Sequence, residues 1–398
     1  MNAKISLSRF LPWLRMSLAV CGFVTGCATR TPDHARSSEP AGAVGFYQGF
    51  TNHVDSPLPK PTGPFAVGRV ERLFTDSSRD ILYRSVTNGL LMATIWYPAG
   101  EVGRRTPGPY VNPREMQAWI ELYGKYGYHW NAAQIARLTN SQSYSFPAAP
   151  LSSHPRKFPV VLYVHGQVGL RTDNTGSAEE LASHGFIVLS SAHGGTAGVE
   201  MPDGTLVTPK PEYHLSGNDT NAIAVAIFHD QTRDLQFVMD ELERLNAHDR
   251  LFAGRLALDR VGVFGWSYGG AAAAELCNVE PRCKAGVALD PGGHPDLSRV
   301  RFKQPFLILT GKHGDAWGAR QLFEQLNQNA WFIKIRDAGH DEFGDSAEFF
   351  RHSETGRTQA LVRTYLVSFF SRYLKGEDQP ELDGPPPNHP DIEVFLKK

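Results

Sequence analysis

The feature that most constrains this chain is an apolar run, Val261 to Phe264, that passes through Gly265-Trp266-Ser267-Tyr268-Gly269-Gly270 into Ala271 to Leu276. The first run reads as a buried strand and the last, rich in strong helix formers, as a helix. A serine at so tight a strand-to-helix turn projects from the end of a sheet, and only small residues at Gly265 and Gly269 let strand and helix approach that closely. The helix also directs the positive end of its dipole at the same point. Ser267 is the candidate nucleophile. The backbone N–H of Tyr268, next in the chain, is a candidate donor to a developing oxyanion.

Other short apolar runs repeat the strand signature: Leu90 to Tyr97, Val160 to Val164, Phe186 to Leu189, Ala285 to Leu289, Phe306 to Leu309 and Trp331 to Ile335. Asn88-Gly89 is a two-residue turn signal, and it predicts a hairpin between the stretch from Ile81 and the strand beginning near Leu90. Leu235, Val238, Met239, Leu242 and Leu245 recur at the spacing of one helix face. Strand and helix alternate, so the expected class is α/β, with a mainly parallel central sheet and helices on both faces. In such sheets ligands bind beyond the carboxyl ends of the strands. Lys and Arg number 40 against 41 Asp and Glu, which leaves no basic field for nucleic acid.

A serine hydroxyl needs a base to take its proton, and the base needs a carboxylate to orient it. The elbow resembles that of the α/β-hydrolase fold, in which serine, acid and histidine follow in that order. After Ser267, His340 lies in the loop Asp337-Ala338-Gly339-His340-Asp341 beyond a strand, while His294, His313 and His352 are rivals read as solvated histidines. Asp290 and Asp315 each follow a strand, and either fits the order as the acid. The loop His165-Gly166-Gln167-Val168-Gly169 after Val164 should supply the second oxyanion donor from the N–H of Gln167, with His165 ordering the loop. No H-E-x-x-H or compact Cys/His/Asp group appears, so no metal and no cofactor are expected.

From about Val67 to Lys375 these motifs resemble the plasma-type platelet-activating factor acetylhydrolases and their bacterial relatives. The likeness is carried by the elbow, by Val164-His165-Gly166 with Arg171, and by Leu181-Ala182-Ser183-His184-Gly185-Phe186-Ile187. The segment from about Tyr110 to Pro150, with Trp119 and a helical stretch near Ile135 to Leu138, sits where the family has an insertion. The resemblance implies Asp290 as the acid, because the family's aspartate ends the strand after the elbow helix, as in Ala288-Leu289-Asp290. It also implies a cofactor-free esterase acting on short or oxidised acyl chains or phospholipids. Trp266 stands where many family members have His, Gln167 stands where an apolar residue is usual, and G-W-S-x-G-G is similar to the elbow of polyester hydrolases, whose acid lies nearer Asp315. A broad carboxylester or polyester hydrolase is the alternative, and an inactive binding protein of the same fold is a second one.

Lys4, Arg9 and Arg15 precede a short apolar stretch from Met16 to Val24 that reads as a signal peptide. Val24-Thr25-Gly26-Cys27 resembles a bacterial lipobox, which implies lipidation of Cys27 and anchoring in a membrane, with the outer one favoured; a cleaved signal without lipid is the alternative. Cys277 and Cys283 then remain as a pair that either forms a disulfide or stays as two thiols. The expected organisation is a signal peptide over 1–26, a tether over 27–64, a catalytic domain over 65–376 and a C-terminal tail over 377–398.

Overall fold

The computed structural model describes residues 56–76, 89–125, 127–193, 196–209, 220–292, 300–315, 318–326, 328–350, 355–384 and 390–397. The expected signal peptide, Cys27, the stretch from Ile81 to Asn88, His294 and His352 lie outside these residues.

Ten strands join in one sheet. In chain order they are β1 (Ala66–Thr75), β2 (Leu90–Ala99), β3 (Ser145–Pro147), β4 (Phe158–Val164), β5 (Ile187–Ser191), β8 (Leu256–Trp266), β9 (Cys283–Leu289), β10 (Phe306–Thr310), β11 (Ala330–Ile335) and β12 (Ile392–Lys397). The short strands β6 (Val199–Glu200) and β7 (Leu206–Val207) pair apart from it. Across the large sheet the order is β12-β11-β10-β9-β8-β4-β5-β2-β1-β3. Every pair from β5 to β11 is parallel, and the pairs β1/β2, β2/β5 and β11/β12 are antiparallel. The expected α/β class with a mainly parallel sheet is what the chain forms.

The helices are α1 (Pro113–Lys125), α2 (Ala132–Asn140), α3 (Thr175–Ser183), α4 (Thr220–His248), α5 (Tyr268–Val279), α6 (Ala319–Gln325), α7 (Ser346–Phe350) and α8 (Thr355–Phe370). Two apolar layers cover the sheet. On one side Leu235, Val238, Met239 and Leu242 of α4, with Ala271 to Ala274 of α5, pack on Val160, Leu162, Val261 and Val263. On the other, Leu181 of α3 and Val362, Leu366 and Phe369 of α8 pack on Val161, Tyr163, Phe264 and Leu307. Buried on both faces, the central strands are nearly continuous apolar runs, which is why they were legible.

β2 pairs with β1, Thr75 lying opposite Leu90 and the pair closed by the Asp76 N–H on Gly89 O at 3.0 Å, while the partner expected from Ile81 lies outside the described residues. Two expected bounds need correction. The boundary at 64 falls inside packed chain: Leu58 is buried, and the Thr62 and Gly63 N–H groups donate to Glu180 and to the Ser183 hydroxyl. The tail from 377 is not wholly outside the domain either, since β12 completes the sheet in full register with β11. The chain divides into two compact units, the larger being Val54–Leu122 with Asn131–Lys398. Of the smaller, residues 123–125 and 127–130 are described, and there Tyr128 stacks on Trp130 at 6.1 Å.

Candidate active site

β8 and α5 meet at Ser267, whose backbone is forced to φ 56° and ψ −121°. Such a conformation costs a non-glycine residue about 1–3 kcal/mol and persists only where the surroundings impose it. Here the Ser267 N–H donates to Leu289 O at 2.9 Å, and the Ser267 carbonyl accepts from the Gly270 N–H at 3.0 Å and the Gly292 N–H at 3.2 Å. A side chain at Gly269 would press into the Val164 carbonyl, so glycine there is what lets α5 start against β4. Ser267 itself stays partly exposed.

β9 delivers Asp290 and β11 delivers His340 to the same rim. His340 Nδ1 lies 2.6 Å from Asp290 Oδ2, and the other Asp290 oxygen accepts from the Thr310 hydroxyl at 2.7 Å and the Gly311 N–H at 2.9 Å. Burial pushes the Asp290 carboxyl up, but the bond and charge of His340, with the two donors, outweigh it and hold the group below its ordinary range. Burial likewise pulls the His340 imidazole down, and Asp290 reverses that and raises it. The Trp266 indole N–H donates to the His340 carbonyl at 3.1 Å, tying the histidine loop to the elbow.

Asp315 is placed elsewhere. Its carboxylate pairs with Lys334 at 2.5 Å and Arg320 at 3.2 Å, and its side chain is 45% exposed. His313 feels the charges of both Asp290 and His340, although burial and Lys312 pull its imidazole down.

A base at His340 works only when neutral. Because its imidazole is raised, the acid limb of kcat/KM is expected above the ordinary histidine value of about 6.5, with activity rising as pH climbs through it. A pH–rate profile checks this, and a limb below that value would contradict the pairing.

The loop after β4 closes the site from the other side. His165 is fully buried, bonds through Nδ1 to the Gly166 carbonyl at 2.7 Å and stacks on His193 at 3.7 Å, so it orders the loop rather than facing solvent. Gly166 runs against the elbow: a Cβ there would sit 3.3 Å from the Ser267 Cβ. The turn is closed by the Gly169 N–H on Gly166 O at 3.1 Å, with Val168 at φ 53° and Gln167 partly exposed at its crest. Arg171 leaves this loop for the interior, where it bonds to Thr94 at 3.0 Å, Glu115 at 2.5 Å and Glu71 at 3.1 Å. Glu115, on α1, also accepts from the Glu200 N–H at 2.9 Å. One buried guanidinium thus joins α1, the sheet and the loop after β4. Removing one partner of such a pair costs about 3–5 kcal/mol.

The sequence reading missed Thr310, Glu115 and Asp345, which are buried, and Asp173, which is half-buried. Thr310 stands at the end of β10, one step before the glycine that also binds Asp290, a weak signal; Glu115 and Asp345 carry none, since each meets its partners only across the fold, while Asp173 bonds to Leu170 and Tyr163 nearby in the chain. Among the described residues, no group of three His, Cys, Asp or Glu is gathered as a metal would require.

The family model for platelet-activating factor acetylhydrolase, isoform II, matches residues 50–199, a stretch that holds the loop after β4 and stops before Ser267. The chain is 23% identical over 326 residues to the platelet-activating factor acetylhydrolase of Cavia porcellus, covering 74% of this chain and 70% of that protein. It is 24% identical over 384 residues to the probable 1-alkyl-2-acetylglycerophosphocholine esterase of Arthroderma benhamiae, covering 85% and 93%. The solved structure of a ferulic acid esterase from Streptomyces cinnamoneus superposes with a TM-score of 0.71 at 24% identity, covering 86% of this chain and all of that one, and shares its α/β-hydrolase fold.

Proposed function

We propose that this chain is an exported serine hydrolase that cleaves carboxylic esters with short or oxidised acyl groups, including 2-acetyl phospholipids. The observation that carries the reading is the 2.6 Å bond between His340 and Asp290 beside a serine held at φ 56° on a strand-to-helix elbow. In this mechanism His340 takes the Ser267 proton as the hydroxyl oxygen attacks the ester carbonyl. The N–H groups of Gln167 and Tyr268 hold the resulting oxyanion, and collapse expels the alcohol with the proton from His340. Water, activated by the same imidazole, then attacks the acyl-serine and releases the acid. Asp290 keeps the imidazole in the working tautomer throughout.

The similarity to acetylhydrolases and to an alkylacetylglycerophosphocholine esterase supports the substrate class. The test is hydrolysis of p-nitrophenyl acetate, butyrate and octanoate and of a 2-acetyl phospholipid by the purified full chain, with a fluorophosphonate probe mapped by mass spectrometry. The reading predicts turnover of the acetyl substrates and labelling at Ser267. A folded protein with neither would refute it.

The export reading includes lipidation at Cys27 and a membrane location, outer rather than inner, and intact-mass measurement of the membrane-extracted protein tests it. It also includes a bridge between Cys277 and Cys283. These are buried free thiols with their sulfurs 2.8 Å apart, beside a cleft of about 470 Å³ lined by Lys284, Arg301 and Phe302. Exchange with an oxidised dithiol oxidoreductase would pass two electrons and two protons to that partner and join the sulfurs. Zero titratable thiols in the denatured, unreduced, lipidated protein is the expected count; two would exclude the bridge.

A further inference from the structure

Beneath the oxyanion loop lies a set of carboxyls that the hydrolytic steps do not use, Glu179 and Asp345 buried and Asp173 half-buried. Asp173, seven residues beyond Gly166, folds back so that the Leu170 N–H donates to its Oδ2 at 3.2 Å, while its own N–H donates to the Leu170 carbonyl at 3.1 Å. The same Oδ2 occupies the space that a side chain at Gly169 would need. The Tyr163 hydroxyl, from the end of β4, binds Oδ1, and the Asn174 amide donates to that hydroxyl at 3.0 Å.

The Asp173 backbone reaches across to the histidine loop. Its carbonyl accepts from the Asp345 N–H at 2.9 Å, and the Asp345 carboxyl takes the Gly176 N–H at 3.2 Å at the start of α3. Asp345 follows Gly344, whose carbonyl is held by the Gln359 amide at 2.8 Å, and lies five residues after His340. With Trp266 bonded to the His340 carbonyl, the oxyanion loop, the elbow and the histidine loop share one continuous web.

We infer that Asp173 is a positioning residue that fixes the Gly166–Leu170 turn, and so the Gln167 N–H, against Ser267 while binding that turn to the loop carrying His340. The inference rests on the ester-hydrolase reading of the site. A carboxyl kept only for packing would be a poor choice here. Burial pushes Asp173 up to about 7, with the Tyr163 and Leu170 donors pulling it back only in part. The groups around it are Tyr110 before α1, Tyr163 on β4, Glu179 on α3, Asp345, and Arg363 of α8, which acts on Asp345. Two of these neighbours, Glu179 and Asp345, are carboxyls, so the site bears a cost that an apolar side chain would avoid. What an apolar side chain cannot do is receive the Leu170 N–H and shape the turn. The oxyanion donors act only when placed to within a fraction of an ångström, and a misplacement of about 1 Å can cost about a hundredfold in rate.

The experiment uses the full chain with Asp173→Leu, Asp173→Asn and Tyr163→Phe. It measures kcat and KM on p-nitrophenyl acetate and amide hydrogen exchange across 165–172. Asp173→Leu is expected to lower kcat at least tenfold with KM within twofold, and to speed exchange in the turn. Asp173→Asn, which still accepts the Leu170 N–H, is expected to keep kcat within about threefold. A folded Asp173→Leu with wild-type kcat, or with unchanged exchange at 166–170, overturns the inference, as does a loss confined to KM. Should Asp173→Leu fail to fold, Tyr163→Phe decides: faster exchange in the turn with a several-fold lower kcat supports the role, and no change in either overturns it. Absence of any Ser267-dependent hydrolysis in the wild type would sink the ester-hydrolase reading instead, and exchange in the turn would still decide whether Asp173 holds it.

Discussion

Replacing Ser267 by alanine is expected to lower kcat on p-nitrophenyl acetate by about a millionfold, the scale found when a triad nucleophile is removed from an enzyme of this kind. The loss falls on kcat because alanine removes the atom that bonds to the acyl group while leaving the surrounding groups in place. The backbone should hold: the N–H to Leu289 O bond and the bonds accepted by the residue 267 carbonyl from Gly270, Ala271 and Gly292 involve no side-chain atom. Residual catalysis about a thousandfold or more above water would remain from the oxyanion donors and from binding. Single-turnover and steady-state kinetics on the purified variant, with circular dichroism to verify folding, read the effect. Full activity in a folded Ser267→Ala protein would mean that the hydrolysis arises elsewhere.

The next largest effect is expected at Asp290. Asparagine at that position presents an amide toward His340 Nδ1, which favours the wrong tautomer and leaves the imidazolium without a counter-charge, at a cost of about ten-thousandfold in kcat. Asp315→Asn is the matched control, because its carboxylate serves Lys334 and Arg320 at a half-exposed surface site where ion pairs contribute about 0–1 kcal/mol. Its kcat should stay within a few-fold of the wild type. The acid limb supplies a second signature. With the negative charge gone the imidazole loses what raises it, so the limb of Asp290→Asn should move to lower pH while that of Asp315→Asn stays. Equal losses in both variants, or a larger loss at Asp315, would overturn the assignment.

The elbow was readable because its chemistry is local: an apolar strand, two glycines and a helix occupy consecutive positions, and their order alone forces the turn. The strands β4, β8, β9, β10 and β11 were readable for a related reason, being buried on both faces along most of their length and therefore mainly apolar. β1 was missed because it alternates Arg69, Glu71 and Arg72 with Val67, Val70 and Leu73, and β12 because a short strand closing an edge carries little apolar signal. The choice between Asp290 and Asp315 could not be made from chain order, since both follow strands. It came from resemblance; in the fold Asp290 lies against His340, and Asp315 against Lys334 and Arg320. Arg171 carried part of the resemblance, but its partners could not be read: they lie on elements far away in the chain, and no spacing rule connects a loop arginine to Glu71 or Glu115. Asp173 bonds to Leu170 and Tyr163 nearby in the chain, and a lone loop aspartate carries no pattern that marks those bonds.

β12 bears on how the chain reaches its fold during synthesis. Among the described strands β12 is the latest in the chain; it covers β11, and β11 leads directly into the loop that carries His340. Until residues 392–397 arrive, a row of peptide groups along β11 stands open to any other extended chain, which is the usual starting point for mispaired aggregates. The elements around Ser267 can gather early, but the sheet is sealed late and by antiparallel pairing that needs no crossover. A chain that stalled near residue 390 would therefore have its chemistry assembled and its border unprotected.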